Sequence, residues 1–334
     1  MSKKKTTDRD YLFLTAMLRA RENSMLNGER AERLLDAASF AEAARSLTEL
    51  GFEDMSQMDS AGVEKSLSAR RSSMMHELDR MVPDKALLDI FRLKYDYHNA
   101  KVLVKAQAAN VDGIRLLSDV GTIDPGRLMN AFNNAEWSSI PEPLSGAIQE
   151  AVSIISRTEN PQTADFALDR AYFSQLYSLA EEAGDDFLIR YVRALIDSAN
   201  LRSAVRTLRM GRDAKFLLTA LIPGGSVGVN TIAEHFSESD GLNAIFSSSA
   251  VSRAASMAQD AVSGGALMAF ERQCDDDITA TVSAVRTQSF GAGCVAAYIY
   301  AFESELTNLR MILTGKLSGL SSAVIKERLR KSYV

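Results

Sequence analysis

Apolar residues recur along this chain at steps of three and four, the spacing of one face of an α-helix. Leu87, Leu88, Phe91 and Tyr95 draw one such stripe, and Leu12, Leu14, Met17, Leu18 and Met25 draw another. Between the stripes stand helix-end signals. Asp124-Pro125 and Asn160-Pro161 each set a side-chain acceptor at the N-cap and a proline at the first helical position, so a helix is predicted to begin at each. Pro83-Asp84 reads as a similar start. Asp8 or Asp10 is predicted to cap the first helix, and Asn27-Gly28 to stop it in a left-handed turn. The valine, isoleucine and threonine alternation that marks strands is missing. The expected fold is all-α, with helix–turn–helix as its unit.

Self-comparison shows how that unit is multiplied. Three segments carry an acidic residue, an asparagine three later and a basic residue two beyond: Asp96, Asn99 and Lys101; Asp197, Asn200 and Arg202; Glu305, Asn308 and Arg310. The asparagines stand roughly a hundred residues apart. Eight residues before each lies Phe91, Val192 or Tyr300, and five after it Val104, Val205 or Leu313. Thirteen residues is close to a whole number of turns, so these flanks share a face. A turn phrase follows the first two copies: Gly121-Thr122-Ile123-Asp124 before Leu128 and Phe132, and Gly225-Ser226-Val227-Gly228 before Ile232 and Phe236. Gly319-Leu320-Ser321-Ser322 before Ile325 and Leu329 reads as the third. Three tandem repeats are therefore expected, over 1–135, 136–239 and 240–334.

Within each triplet the acid and the asparagine share a helix face, whereas the basic residue is turned about 140° away and is poorly placed to pair with its own acid. Two arrangements fit this spacing. The polar groups either join one repeat to the next or line a shared polar interior, where a buried charge needs a partner, or they are solvated surface groups.

Composition narrows the class. The chain has 334 residues and 46% apolar content, enough for a continuous core, with only six prolines and nineteen glycines. With 38 basic and 43 acidic residues the net charge is −5, which argues against binding nucleic acid through bulk positive charge. The longest apolar run, Cys294–Phe302, is half of what a membrane helix needs, and the start, with Lys3, Lys4 and Lys5, shows no export segment. A soluble, cytoplasmic protein is expected. Cys274 and Cys294 form no CxxC and read as two buried thiols.

At the triplets the chain resembles a known family: the C subunit of bacterial and archaeal V/A-type rotary ATPases, the counterpart of the d subunit in eukaryotic vacuolar ATPases. Tyr11 through Arg21 to Leu26 resembles the family's opening helix, and Tyr95 through Lys101 its most distinctive phrase. Ile196-Asp197 to Asn200, Arg202 and Arg206 is similar. So is the end: Glu305, Asn308 to Arg310, Ile312, Gly315-Lys316, Gly319-Leu320, Ile325, Arg328-Leu329 and Tyr333. The tract Leu47–Met58, with Gly51 and several acids, departs from the family's pattern. The resemblance implies three helical subdomains around a pseudo-threefold axis, forming a funnel. It also implies a non-catalytic connector whose partners are the central stalk subunits and the cytoplasmic loops of the membrane rotor ring, held at the membrane through the complex. Without the resemblance the residues would read as a helical-repeat scaffold for other proteins.

The remaining candidates are weaker. Arg190, Arg193, Arg202, Arg206, Arg209, Arg212 and Lys215 face only Asp197 and Asp213 over one stretch, and Arg202, Arg206 and Arg209 share a helix face. This ridge reads as a partner-docking surface for an acidic stalk or ring-loop element, or as an ordinary solvated face with acids opposite. Pro223 to Gly228 lacks the Gly-Lys-Ser/Thr ending of a phosphate loop and reads as a turn. Asp275, Asp276 and Asp277 diverge around a helix and are expected to cap its start rather than bind a cation. His76, His98 and His235 fit no metal spacing, and His98 is expected to be a buried hydrogen-bonding group. Thirteen methionines read mainly as core filler. No nucleophile elbow or acid–base pair stands out, so neither catalytic residues nor a cofactor or metal site is expected.

Overall fold

The computed structural model of the chain describes residues 6–334, so Lys3, Lys4 and Lys5 lie outside it. The regular structure of the described residues is all helical, with no strand among them. In chain order the helices are α1 (Leu12–Glu22), α2 (Gly28–Asp36), α3 (Phe40–Ser46), α4 (Ser60–Met81), α5 (Lys85–Ala109), α6 (Pro125–Asn134), α7 (Leu144–Thr158), α8 (Pro161–Ala183) and α9 (Asp186–Arg209). There follow α10 (Ala214–Ala220), α11 (Val229–His235), α12 (Gly241–Phe246), α13 (Ser252–Ser256), α14 (Ala258–Val262), α15 (Leu267–Ser283), α16 (Ala292–Leu317) and α17 (Ser322–Arg328).

The helix starts follow the chemistry of their caps. Asp124 Oδ1 accepts the Arg127 N–H and Asn160 Oδ1 accepts the Gln162 N–H, each ahead of a proline at the first helical position, as predicted. Asn27 behaves differently from its prediction. It is not a left-handed stop for α1 but the N-cap of α2, with φ −98° and its side chain accepting from Arg30 N–H. Asparagine serves both helix ends, and only the path of the chain selects between them.

The chain forms two compact units. One comprises the described residues up to Lys85 together with Ala266–Val334; the other is Ala86–Gly265. In the first, α16 packs against α1, α3 and α4, and α17 packs against α2 and α15, so the two ends of the chain share one core. In the second, α7 and α9 pack on α8, and α10 and α14 on α9. The flank positions read from the repeats are core residues: Phe91, Val104, Val192, Val205 and Leu313 are buried, and Tyr300 places its hydroxyl 2.8 Å from that of Thr279. Cys274 and Cys294 are buried free thiols. Met25, Met55, Met74 and Met75 fill the core, whereas Met210 and Met268 are exposed.

Candidate functional site

The three asparagines each make the same contact. Asn99 Nδ2 donates to the Ser118 carbonyl while its Oδ1 accepts the Ser118 N–H, both at 2.8 Å. Asn200 does the same with Ile222 at 2.8 Å, and Asn308 with Arg330 at 3.0 Å. Asn99 and Asn200 are fully buried and Asn308 is 6% exposed, so these are not solvated surface groups. A side-chain amide carries one acceptor and two donors, which lets it complete a lone backbone residue as a strand neighbour would. Each bracket satisfies a backbone N–H and C=O outside any helix or sheet, buried at Ile222 and part-buried at Ser118 and Arg330.

The chain is turned back to meet these brackets by a shared helix end. The residue eleven beyond each asparagine adopts the left-handed conformation: Asn110 at φ 51°, Gly211 at 62° and Gly319 at 70°. The next residue closes the turn by donating five residues back, Val111 to Ala106 O (2.9 Å), Arg212 to Thr207 O (3.1 Å) and Leu320 to Gly315 O (2.9 Å). This is a Schellman ending in triplicate, and two glycines and an asparagine are the residue types that tolerate it.

That register corrects the third turn phrase. Gly121 and Gly225 come three residues after the bracketed Ser118 and Ile222, whereas Gly319 precedes the bracketed Arg330. Gly319 is the counterpart of Gly211 and Asn110, not of Gly121 and Gly225.

The acids explain what replaces the missing phrase. Asp96 accepts the Thr122 N–H and hydroxyl at 3.1 and 2.7 Å and the Ile123 N–H at 3.0 Å. Asp197 accepts the Ser226 N–H at 2.8 Å, the Ser226 hydroxyl, and the Val227 N–H at 3.5 Å. A Cβ on Gly121 or Gly225 would collide with the aspartate oxygen, so glycine is required for this close approach. Glu305 instead accepts the Leu26 N–H, at 2.7 Å. Ile123, Val227 and Leu26 each immediately precede the N-cap of a short helix, α6, α11 and α2 respectively. The third copy is thus completed by the start of the chain, with α2 in the place of α6 and α11.

The triplets therefore divide their labour in a way the spacing did not settle. Asp96, Asn99, Asp197 and Asn200 pin turns within their own sequence repeats rather than joining one repeat to the next, because the chain folds back beside its own helix. Glu305 does reach from the last repeat span to the first. The basic residues also reach outward, as their separation from the acids requires. Lys101 Nζ pairs with Asp169 at 2.6 Å, from the first span to the second, and Arg310 Nε with Glu64 at 2.5 Å, from the third to the first. Arg202 is half-buried on α9.

Burial pushes the Asp96 and Asp197 carboxyls above the ordinary carboxylate range, against the pull of their hydrogen bonds. Burial pushes Glu305 furthest, to about 7, with the Leu26 N–H, Arg70 and Arg30 opposing it. Glu305 lines a cavity of about 280 Å³ walled also by Arg21, Phe52, Arg70, Glu77 and Tyr298. Arg21 holds Glu77 through two hydrogen bonds of 2.8 and 2.6 Å, which draws the Glu77 carboxyl below its usual range. The Arg70 guanidinium lies 5.1 Å from the centre of the Phe52 ring.

Two further contacts tie the chain's ends together and carried no sequence signal of their own. Lys316 Nζ donates to the Leu35 and Ala37 carbonyls at 2.9 and 2.7 Å, and Ser322 Oγ to Leu35 at 2.6 Å, so the C-terminal end of α2 is capped from α16 and α17. Asp275, Asp276 and Asp277 lie inside α15, not at its start, so they do not cap it. Asp275 pairs with Arg330 at 2.6 Å, Asp276 accepts the Lys331 N–H at 2.7 Å and Asp277 accepts from Gln273 at 2.8 Å.

Of the basic ridge, Arg206 and Arg209 are exposed, and Arg209 Nη1 donates to the Ala261 carbonyl at 2.5 Å at the end of α14. Arg193 donates to the Tyr177 hydroxyl at 2.9 Å. The ridge is a surface whose members are partly engaged by the chain's own groups. His98 is exposed rather than buried, with Nε2 2.9 Å from the Leu116 carbonyl. Among the described residues no group of His, Cys, Asp and Glu could hold a metal ion, and no helix is long and apolar enough to cross a membrane.

Comparison with known proteins finds similarity in sequence along nearly the whole chain. The family model of the ATP synthase (C/AC39) subunit matches residues 14–328. The chain is 25% identical to the C subunit of the V-type sodium ATPase of Enterococcus hirae, over 97% of this chain and 99% of that one. It is 23% identical to the C subunit of the A-type ATP synthase of Methanocaldococcus jannaschii, over 96% and 86% of the two chains. With that of Thermococcus kodakarensis it shares 26% identity over 95% and 89%. The all-helical chain with its thrice-repeated bracket therefore belongs to the ATP synthase (C/AC39) subunit family.

Proposed function

We propose that this protein is a non-catalytic connector in the central rotor of a V/A-type ATPase, joining the central stalk of the ATP-hydrolysing head to the cytoplasmic loops of the membrane rotor ring. The reading rests above all on the near full-length correspondence with the C subunits of V-type and A-type machines. In it, the three repeats stand around a pseudo-threefold axis as a funnel, and the protein is held at the membrane through its partners. Torque passes through an element only if that element is stiff. Buried brackets that join helix to turn at three places supply stiffness, since opening any of them leaves desolvated polar groups unpaired.

The exposed Arg206 and Arg209 on α9 support a docking role toward an acidic partner element. Affinity purification of the full chain from its native membrane should recover the stalk subunits and the ring together. Recovery of neither, with the chain folded, would refute the connector reading. Arg206→Glu should weaken retention of the partner at moderate salt, and unchanged retention would remove the docking surface while leaving the connector intact.

A further inference from the structure

Glu305 is the exception among the three acids. Asp96 and Asp197 each accept three hydrogen bonds from the turns they hold, two from N–H groups and one from a hydroxyl. Glu305 is also buried, at 8% exposure against 1% for each aspartate, yet among the described residues it accepts one, from the Leu26 N–H. An ionised carboxylate removed from water needs several donors or a paired cation to offset its lost hydration. Glu305 has neither.

The charged and titratable groups around it are occupied elsewhere. From α1, Arg21 is committed to Glu77 of α4 by two hydrogen bonds. From α2, Arg30 donates to the Asn23 and Met25 carbonyls. From α4, Arg70 is laid over the Phe52 ring. On α16 itself Tyr298 is the titratable neighbour, and burial raises its phenol. From the C-terminal segment Tyr333 faces Arg19 and Arg286. Arg70 and Arg30 thus act on Glu305 only through space, and the cavity of about 280 Å³ that Arg70 and Glu305 both line leaves room for the carboxyl to change its environment.

The position of the group gives its charge a structural consequence. The Leu26 N–H that it holds is the junction between α1 and α2, and α2 is the helix that completes the third copy. We infer that Glu305 is a proton-dependent latch: protonated, it closes the α1–α2 turn onto α16 without a buried charge, and ionised, it loosens that closure beside the cavity.

The direction follows from linkage. Burial raises the folded carboxyl to about 7, above an unfolded value near 4.5. The folded state therefore holds the proton more tightly, and the stabilisation is complete below about 4.5 and lost as pH rises through about 7. Between pH 6 and pH 8 the equilibrium against opening should fall about tenfold through this group alone.

Glu305→Gln keeps the acceptor for the Leu26 N–H and removes the titration. With the full chain, the difference between wild-type and Glu305→Gln stabilities in denaturant should widen in favour of the variant from pH 6 to pH 8. Parallel pH profiles would overturn the proposal. Hydrogen exchange of a peptide spanning Leu26 in the wild type provides a second measurement that does not depend on the variant folding. After correction for intrinsic chemistry, its protection should drop about tenfold over the same interval. Protection that is constant with pH would equally overturn it.

Discussion

Asn200 and Ile222 exchange two hydrogen bonds at 2.8 Å, side-chain amide to backbone in both directions, in a fully buried setting. The same exchange at Asn99 and Asn308 makes this contact the repeating unit of the fold, more than any helix length or loop.

Asn200→Ala should therefore cost far more than the loss of one side-chain contact, because it strands the Ile222 N–H and C=O together. At about 1–3 kcal/mol for each buried unpaired group, chemical denaturation should register a loss of about 2–6 kcal/mol. Asn200→Asp keeps one acceptor but sets a carboxylate against the Ile222 carbonyl. Its loss should be at least as large at pH 7 and shrink on acidification.

Glycine is predicted to be irreplaceable at Gly225 and replaceable at Gly28. A methyl group at Gly225 meets the carboxylate of Asp197, whereas at Gly28, in the first turn of α2, a Cβ meets nothing within 4 Å. Gly225→Ala should destabilise by about 1–3 kcal/mol through displaced hydrogen bonds, and Gly28→Ala should be neutral or stabilising by up to about 1 kcal/mol. Thermal melts of the two variants side by side check the contrast.

The C-terminal segment is expected to be structural. Ending the chain after Leu329 removes the backbone partner of Asn308, the Arg330 pair with Asp275 and the Ser332 hydroxyl that donates to the Leu26 carbonyl. Limited proteolysis should then cut within α2 or the α1–α2 turn at rates at least tenfold above wild type, since an opening free energy reduced by about 1.4 kcal/mol suffices for that factor. Unchanged cleavage would mean that the chain's two ends are not mutually supporting.

Arg209 is expected to contribute to stability. It donates to the Ala261 carbonyl, so Arg209→Ala should cost about 1–3 kcal/mol as a charged hydrogen bond is lost. Equilibrium unfolding of the variant checks it.

The periodicity of apolar residues and the N-cap chemistry at Asp124 and Asn160 were legible because a helix is a local structure whose signals lie within one turn of its ends. So was the triplet of acid, asparagine and base, as a pattern. Two fainter signals stand in the chain beside it: a left-handed residue type eleven beyond each asparagine, and an apolar residue just before the cap of α2, α6 and α11. Together they place Gly319 with Gly211 and turn Asn27 from a helix stop into a helix start. The burial of Asp96 and Asp197 could not be read from charge pattern, because a paired acid and a solvated one look alike in one dimension.

What the amino-acid sequence determined by itself was therefore the all-helical class, the threefold recurrence of the acid–asparagine–base pattern and the faces on which its polar residues stand. Tertiary structure alone decided who stands opposite them: Ser118 for Asn99, Asp169 for Lys101, and Leu26, from the far end of the chain, for Glu305. Helical periodicity sets the direction in which a side chain leaves its axis, but a hydrogen bond needs a partner within about 3 Å, and that is settled only by where the returning chain comes to rest.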